Sequence, residues 1–132
     1  MASRFAVDTS VVVAILFGEP DADLMARRLL EAPESVIGAP TVLECAMVIA
    51  GKGKPDADQA ILHFVRYFSL DVLAWTPEHA EVAIAAFLLY GKGRHRAALN
   101  FGDCQAYATA KLARLPLLYL GDDFAQTDIE AA

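Results

Sequence analysis

The sequence predicts an α/β fold with a mainly parallel central sheet of about four to five strands, covered by helices on both faces. Three observations carry that expectation. Short apolar runs alternate with longer stretches of helical periodicity along the whole chain, the order of strand and crossover helix. The short runs are apolar throughout, as suits strands covered on both faces, and right-handed crossovers then set them parallel. At 132 residues and 56% hydrophobic, residues 1–132 make one domain with enough apolar surface for a continuous core.

Phe5-Ala6-Val7 is the first strand and ends in Asp8, and Val11 to Phe17 is apolar on all sides, a buried helix stopped by Gly18 and Pro20. Asp21 or Asp23 caps an amphipathic, peripheral helix that closes at Ala32-Pro33. Ser35-Val36-Ile37-Gly38 is the second strand. Ala39-Pro40-Thr41 opens a helix in which Thr41 and Glu44 have the spacing of a capping box, so Glu44 is expected in its first turn. Gly51-Lys52-Gly53-Lys54-Pro55 ends that helix without the order of a phosphate-cradling loop, and Asp56 or Asp58 starts the next, through Phe68. Leu70 to Trp75 reads as the third strand, with Thr76 as a cap and Pro77 at the first helical position of an alanine-rich helix to Tyr90. Asn100 caps a further helix with Gly102 and Asp103 in its first turn, and Pro116 to Leu120 is the last strand.

No stretch of eighteen residues lacks charge, so a membrane span has no support, and the N-terminal segment from Met1 to Val7 is too short for a secretory signal. The cytoplasm is the default location. Cys45 and Cys104 are too few for a disulfide framework and lack zinc-site spacing. The three histidines, His63, His79 and His95, stand 16 residues apart and form no helical metal pair. A net charge of −6 argues at first against a nucleic-acid partner, yet Lys92, Arg94, His95 and Arg96 cluster before the third acidic segment, a basic lip on an acidic domain.

Four acidic segments carry the chemistry: Val7-Asp8-Thr9-Ser10, Thr41-Val42-Leu43-Glu44, Asn100-Phe101-Gly102-Asp103 and Gly121-Asp122-Asp123-Phe124. Their acids lie 36, 59 and 19 residues apart, so only a sheet that gathers strand ends along one edge can join them. Each acid alone has an ordinary explanation, because carboxylates near helix starts complement the dipole and free amides. Jointly they ask for more, since Asp8 and Asp122 follow apolar strands where an unpaired charge is costly. Helix amino termini are expected to keep the group ionised. An all-oxygen set suits magnesium (Mg2+) or manganese (Mn2+), with Asp8 and Asp103 as principal ligands and Glu44 and Asp122 holding waters or a second ion. With no serine–histidine or cysteine–histidine pairing, hydrolysis of a phosphodiester by metal-activated water follows, with Arg94 or Arg96 on flanking phosphates and Thr9 or Ser10 orienting a ligand.

The same segments, with Tyr90-Gly91-Lys92-Gly93-Arg94-His95-Arg96-Ala97-Ala98-Leu99-Asn100-Phe101-Gly102-Asp103-Cys104 the most distinctive, resemble the PIN-domain toxins of bacterial VapBC toxin–antitoxin pairs over nearly the whole chain. The resemblance implies a magnesium- or manganese-dependent endoribonuclease that cleaves RNA and is inhibited by a cognate VapB-type antitoxin. It also implies a homodimer that reaches operator DNA only through the antitoxin complex. The family's acidic set falls on Asp8, Glu44, Asp103 and Asp122. Where related toxins often read Thr-x-Asp, this chain has Leu120-Gly121-Asp122, which removes a hydroxyl and makes Asp123 an alternative for the fourth place. The rival readings are a phosphotransfer domain, which lacks its second aspartate because Ser10 occupies that position, and a non-catalytic RNA-binding module of the same fold.

Overall fold

A computed structural model describes residues 3–132; Met1 and Ala2, the head of the segment read above against a secretory signal, lie outside the described residues. The elements run β1 Ala6–Val7, α1 Thr9–Leu16, α2 Ala22–Leu30, β2 Val36–Gly38, α3 Ala39–Gly51, α4 Ala57–Tyr67, β3 Asp71–Leu73, α5 Pro77–Tyr90, α6 Phe101–Ala113 and β4 Leu117–Leu118, followed by a 3-10 turn at Phe124–Gln126. The four strands are wholly parallel in the order β3-β2-β1-β4. Beyond β4, Leu117 also bridges Ala131, so the last residues lie along that edge as a fifth position.

Strand alternation sorts the core into two layers. Val7, Ile37 and Leu118 face helices α1 to α4, where Val12, Leu29, Ile49 and Phe64 pack, while Ala6, Val36 and Leu117 face α5 and α6, against Ala86, Tyr107 and Ala110. Both faces of β1 are therefore dry, which explains its unbroken apolar run. The chain lays β2 and β3 to one side of β1 and then returns β4 to the other. That reversal opens a crevice at the carboxyl ends of β1 and β4, where parallel sheets bind ligands.

Local readings differ from the structure in several places. The capping box of Thr41 and Glu44 is not made: Pro40 fits the first turn, α3 starts at Ala39 after Gly38, and Glu44 falls in the second turn. Thr41 is instead 1% exposed, and its hydroxyl has no hydrogen-bond partner among the described residues. Asp21 and Asp56 hold the N-cap positions of α2 and α4 without side-chain cap bonds. Thr76 and Asn100 do cap α5 and α6, each in a reciprocal box closed by His79 and Asp103 respectively. β3 is shorter than Leu70 to Trp75 because it is an edge strand with exposed Asp71 and Val72.

Candidate active site

Asp8 ends β1 and caps α1, and at 5% exposure it is the most buried acid of the crevice. Its Oδ2 accepts from the Ser10 amide at 3.1 Å and from the Ser10 hydroxyl at 2.6 Å. The neighbouring Thr9 hydroxyl points the other way and donates to Glu44 Oε1 at 2.5 Å. Behind it lies Cys45, fully buried, whose Sγ is 3.8 Å from Thr9 Oγ1 and whose thiol burial pushes up to about 12. Two consecutive hydroxyls after one strand thus aim two carboxylates carried by different helices.

Glu44 reaches the crevice from α3 and meets α6 where it begins. A Cβ built on Gly102 would lie 1.9 Å from Glu44 Oε2, so the carboxylate occupies the space that any other residue at 102 would need. The next residue, Asp103, accepts from the Asn100 amide at 3.0 Å through Oδ2, while Asn100 Oδ1 accepts the Asp103 amide at 2.8 Å. Asp103 is half-buried. Burial raises its carboxyl to about 6, reinforced by the charges of Asp8, Asp123 and Glu44. Asp8 is also raised, by burial first, with Glu44 adding to it against the opposing Ser10 bonds. The expected lowering of proton affinity by helix amino termini is outweighed at Asp8 and Asp103 by loss of water around them, although Asp103, at about 6, is still ionised at neutral pH.

The fold therefore brings Asp8, Glu44 and Asp123 within electrostatic reach of Asp103, and Glu44 within reach of Asp8. Asp122 and Asp123 are both exposed in the loop that follows β4, which turns at Gly121 with a φ of +96°, and it is the charge of Asp123 that bears on Asp103. Among the described residues the one ion pair joins Lys111 to Asp128, so no basic side chain neutralises the acids of the crevice. Nor, among those residues, do three Asp, Glu, His or Cys side chains converge closely enough to ligate one ion directly.

The basic lip divides into two kinds of residue. Arg94 folds back, donating from Nε to the Leu88 carbonyl at 3.0 Å above the Phe87 ring, and His95 accepts the Ala97 amide at 3.0 Å through Nδ1 with its ring on the edge of Tyr90. These two build the loop. Lys92 and Arg96 are exposed, and Lys92 lines an apolar groove of about 620 Å³ between α5 and α6 together with Asn100 and Phe101. A second groove, of about 570 Å³, runs between α3 and α6 past Glu44. Phe101 forms the ridge between the two, 81% exposed. Sequence reasoning missed Phe101 and the need for Gly102; the signal for the latter was a glycine in a helical first turn, where its backbone freedom is a cost unless something must come close.

The PIN domain family model matches residues 5–130. Among curated proteins, the chain is 51% identical to Ribonuclease VapC36 of Mycobacterium tuberculosis over 125 residues, 94% of this chain and 90% of that protein. Among solved structures it is similar to the Mycobacterium tuberculosis sarcin-ricin loop cleaving toxin VapC20, with a TM-score of 0.76 at 16% identity, covering 97% of this chain and 98% of that one. It is also similar to a chain of a toxin–antitoxin complex from Klebsiella pneumoniae, with a TM-score of 0.70 at 20% identity, covering 94% and 92%. At those identities the two structures speak to the fold alone.

Proposed function

The chain belongs to the PIN-domain family and, within it, to the VapC ribonucleases, and from that premise we propose that it is a toxin whose endoribonuclease activity depends on magnesium or manganese. One observation carries the metal reading. Asp8, Glu44, Asp103 and Asp123 gather at the carboxyl edge of the sheet, with Asp8 and Asp103 desolvated and none of the four paired with a basic side chain among the described residues. Ionising neighbouring buried carboxylates is costly without a cation, and a set in which no three donors converge among the described residues suits an ion that keeps several of its own waters.

Asp8 and Asp103 would hold the metal, with Glu44 and the 122–123 loop holding its waters; Asp123 competes with Asp122 for the fourth place and is favoured by its reach to Asp103. When bound, the metal lowers the pKa of the attacking water and stabilises charge on the phosphoryl oxygens. Thr9 aims Glu44 and Ser10 aims Asp8. Lys92 and Arg96 are free to take flanking phosphates, whereas Arg94 and His95 hold the lip in shape.

The partners we propose are an RNA substrate, a cognate VapB-type antitoxin that inhibits the enzyme, and a second copy of the chain. The apolar surface of Leu43 and Met47 on α3, Ile84 and Phe87 on α5, and Phe101 is the face for that homodimer. With a net charge of −6, this chain reaches operator DNA only through the antitoxin. No helix among the described residues is long and apolar enough to cross a membrane, and the cytoplasm is the proposed location.

The test is cleavage of structured RNA by antitoxin-free protein in magnesium, alongside Asp8→Asn and Asp103→Asn of verified folding. Cleavage should vanish with chelator and fall at least about a hundredfold in each variant, since even outer-shell changes at metal sites cost 10–100-fold. Chelator-insensitive cleavage overturns the reading. Binding without cleavage favours the non-catalytic RNA-binding module.

A further inference from the structure

The β1–β4 ladder stops in an unusual way. Its last backbone bond runs from the Asp8 amide to the Leu118 carbonyl at 3.0 Å. In a parallel ladder the next rung would send the Leu120 amide to the Asp8 carbonyl. That carbonyl accepts the Val11 amide at 3.1 Å in the first turn of α1. The Leu120 amide donates instead to Ser10 Oγ at 3.0 Å, and the same hydroxyl donates to Asp8 Oδ2 at 2.6 Å. A hydroxyl has one proton to give, so the direction of this chain is set: Leu120 N–H to Ser10 Oγ, then Ser10 O–H to the Asp8 carboxylate.

The placement matters because of what lies on either side. Leu120 is the last residue before Gly121, whose φ of +96° turns the chain into Asp122 and Asp123. Ser10 thus stands as a side-chain rung that continues the sheet past the point where β1 becomes a helix. It ties the acidic loop to the carboxylate that the loop must face, and it commits Oδ2 of Asp8 so that Oδ1 is the oxygen it leaves for a cation.

We infer that Ser10 is a positioning residue whose hydroxyl couples the orientation of Asp8 to the position of the 121–123 loop, so that the two halves of the acidic site take up a divalent cation as one unit. This rests on the metal reading above and adds to it a residue that need not touch the ion. The carboxylate stays an acceptor throughout, and no bond is made or broken.

The test uses the full chain without RNA and manganese alone as the probe. Binding is measured by the loss of the free-manganese paramagnetic resonance signal, and Leu120 amide exchange by nuclear magnetic resonance in chelator, for wild type, Ser10→Ala and Ser10→Thr. Ser10→Ala should weaken manganese binding about tenfold or more and release the Leu120 amide to fast exchange while Leu118 stays protected. Ser10→Thr, which keeps the hydroxyl, should restore both and remains readable if Ser10→Ala folds poorly. Wild-type behaviour of Ser10→Ala in either measurement, or of Ser10→Thr resembling Ser10→Ala, overturns the coupling while leaving the metal reading intact. A wild-type protein that takes up no manganese overturns both.

Discussion

Asp8 is a carboxylate at 5% exposure that is held by the amide and hydroxyl of Ser10. Burial raises its proton affinity, as it does that of Asp103, so in the absence of metal both acids make ionisation costly to the folded state. The sign follows directly. Asp103 releases its proton near the ordinary value of 3.8 when unfolded and at about 6 when folded. Its contribution is therefore fully present below the lower value and lost as pH rises through the upper one. Denaturation of the metal-free protein should show the advantage of wild type over Asp103→Asn shrinking between those two pH values. Asp8→Asn should stabilise the metal-free protein at pH 7 in urea denaturation while abolishing cleavage. Manganese should stabilise wild type more at pH 7.5 than at pH 5, because the ion and the proton compete for the same oxygens.

At the scale of elements, the site depends on how closely α3 and α6 approach. Glu44 lies where a side chain on residue 102 would be, so Gly102→Ala must displace the Glu44 carboxylate. Loss of cleavage is expected with only a small change in urea denaturation, because the end of a flexible side chain can move aside. Gly51→Ala offers the opposite case, for it ends α3 in open space and should gain up to about 1 kcal/mol. Equal effects from the two substitutions would refute the packing argument. Local rules worked at Thr76 and Asn100, where the capping residue, the helix start and the reciprocal side chain agree. They misplaced Glu44, because Thr41 and Glu44 satisfy a capping pattern that Pro40 pre-empts by starting the helix earlier. The error strengthens the case for Glu44, whose carboxylate does not cap its own helix and is aimed by Thr9.

For the molecule as a whole, exposed Leu43, Met47, Ile84, Phe87 and Phe101 line the two adjoining grooves, with Phe101 81% and Met47 66% exposed. A homodimer through this face predicts that Phe101→Asp sediments as a monomer at concentrations where wild type sediments as a dimer; a variant that still dimerises would place the interface elsewhere. The sequence alone determined the succession of helices and short strands, the four acidic segments and the family they resemble, because periodicity, caps and motif spacing are local properties of a chain. Only the tertiary structure decided the order β3-β2-β1-β4 that sets Asp8 at the crevice, the burial that raises its carboxyl and that of Asp103, the seat of Glu44 against Gly102, and the Ser10 rung between two strand ends. Those features depend on groups far apart in sequence excluding water from one another, and desolvation is a property of the packed whole that no local pattern encodes.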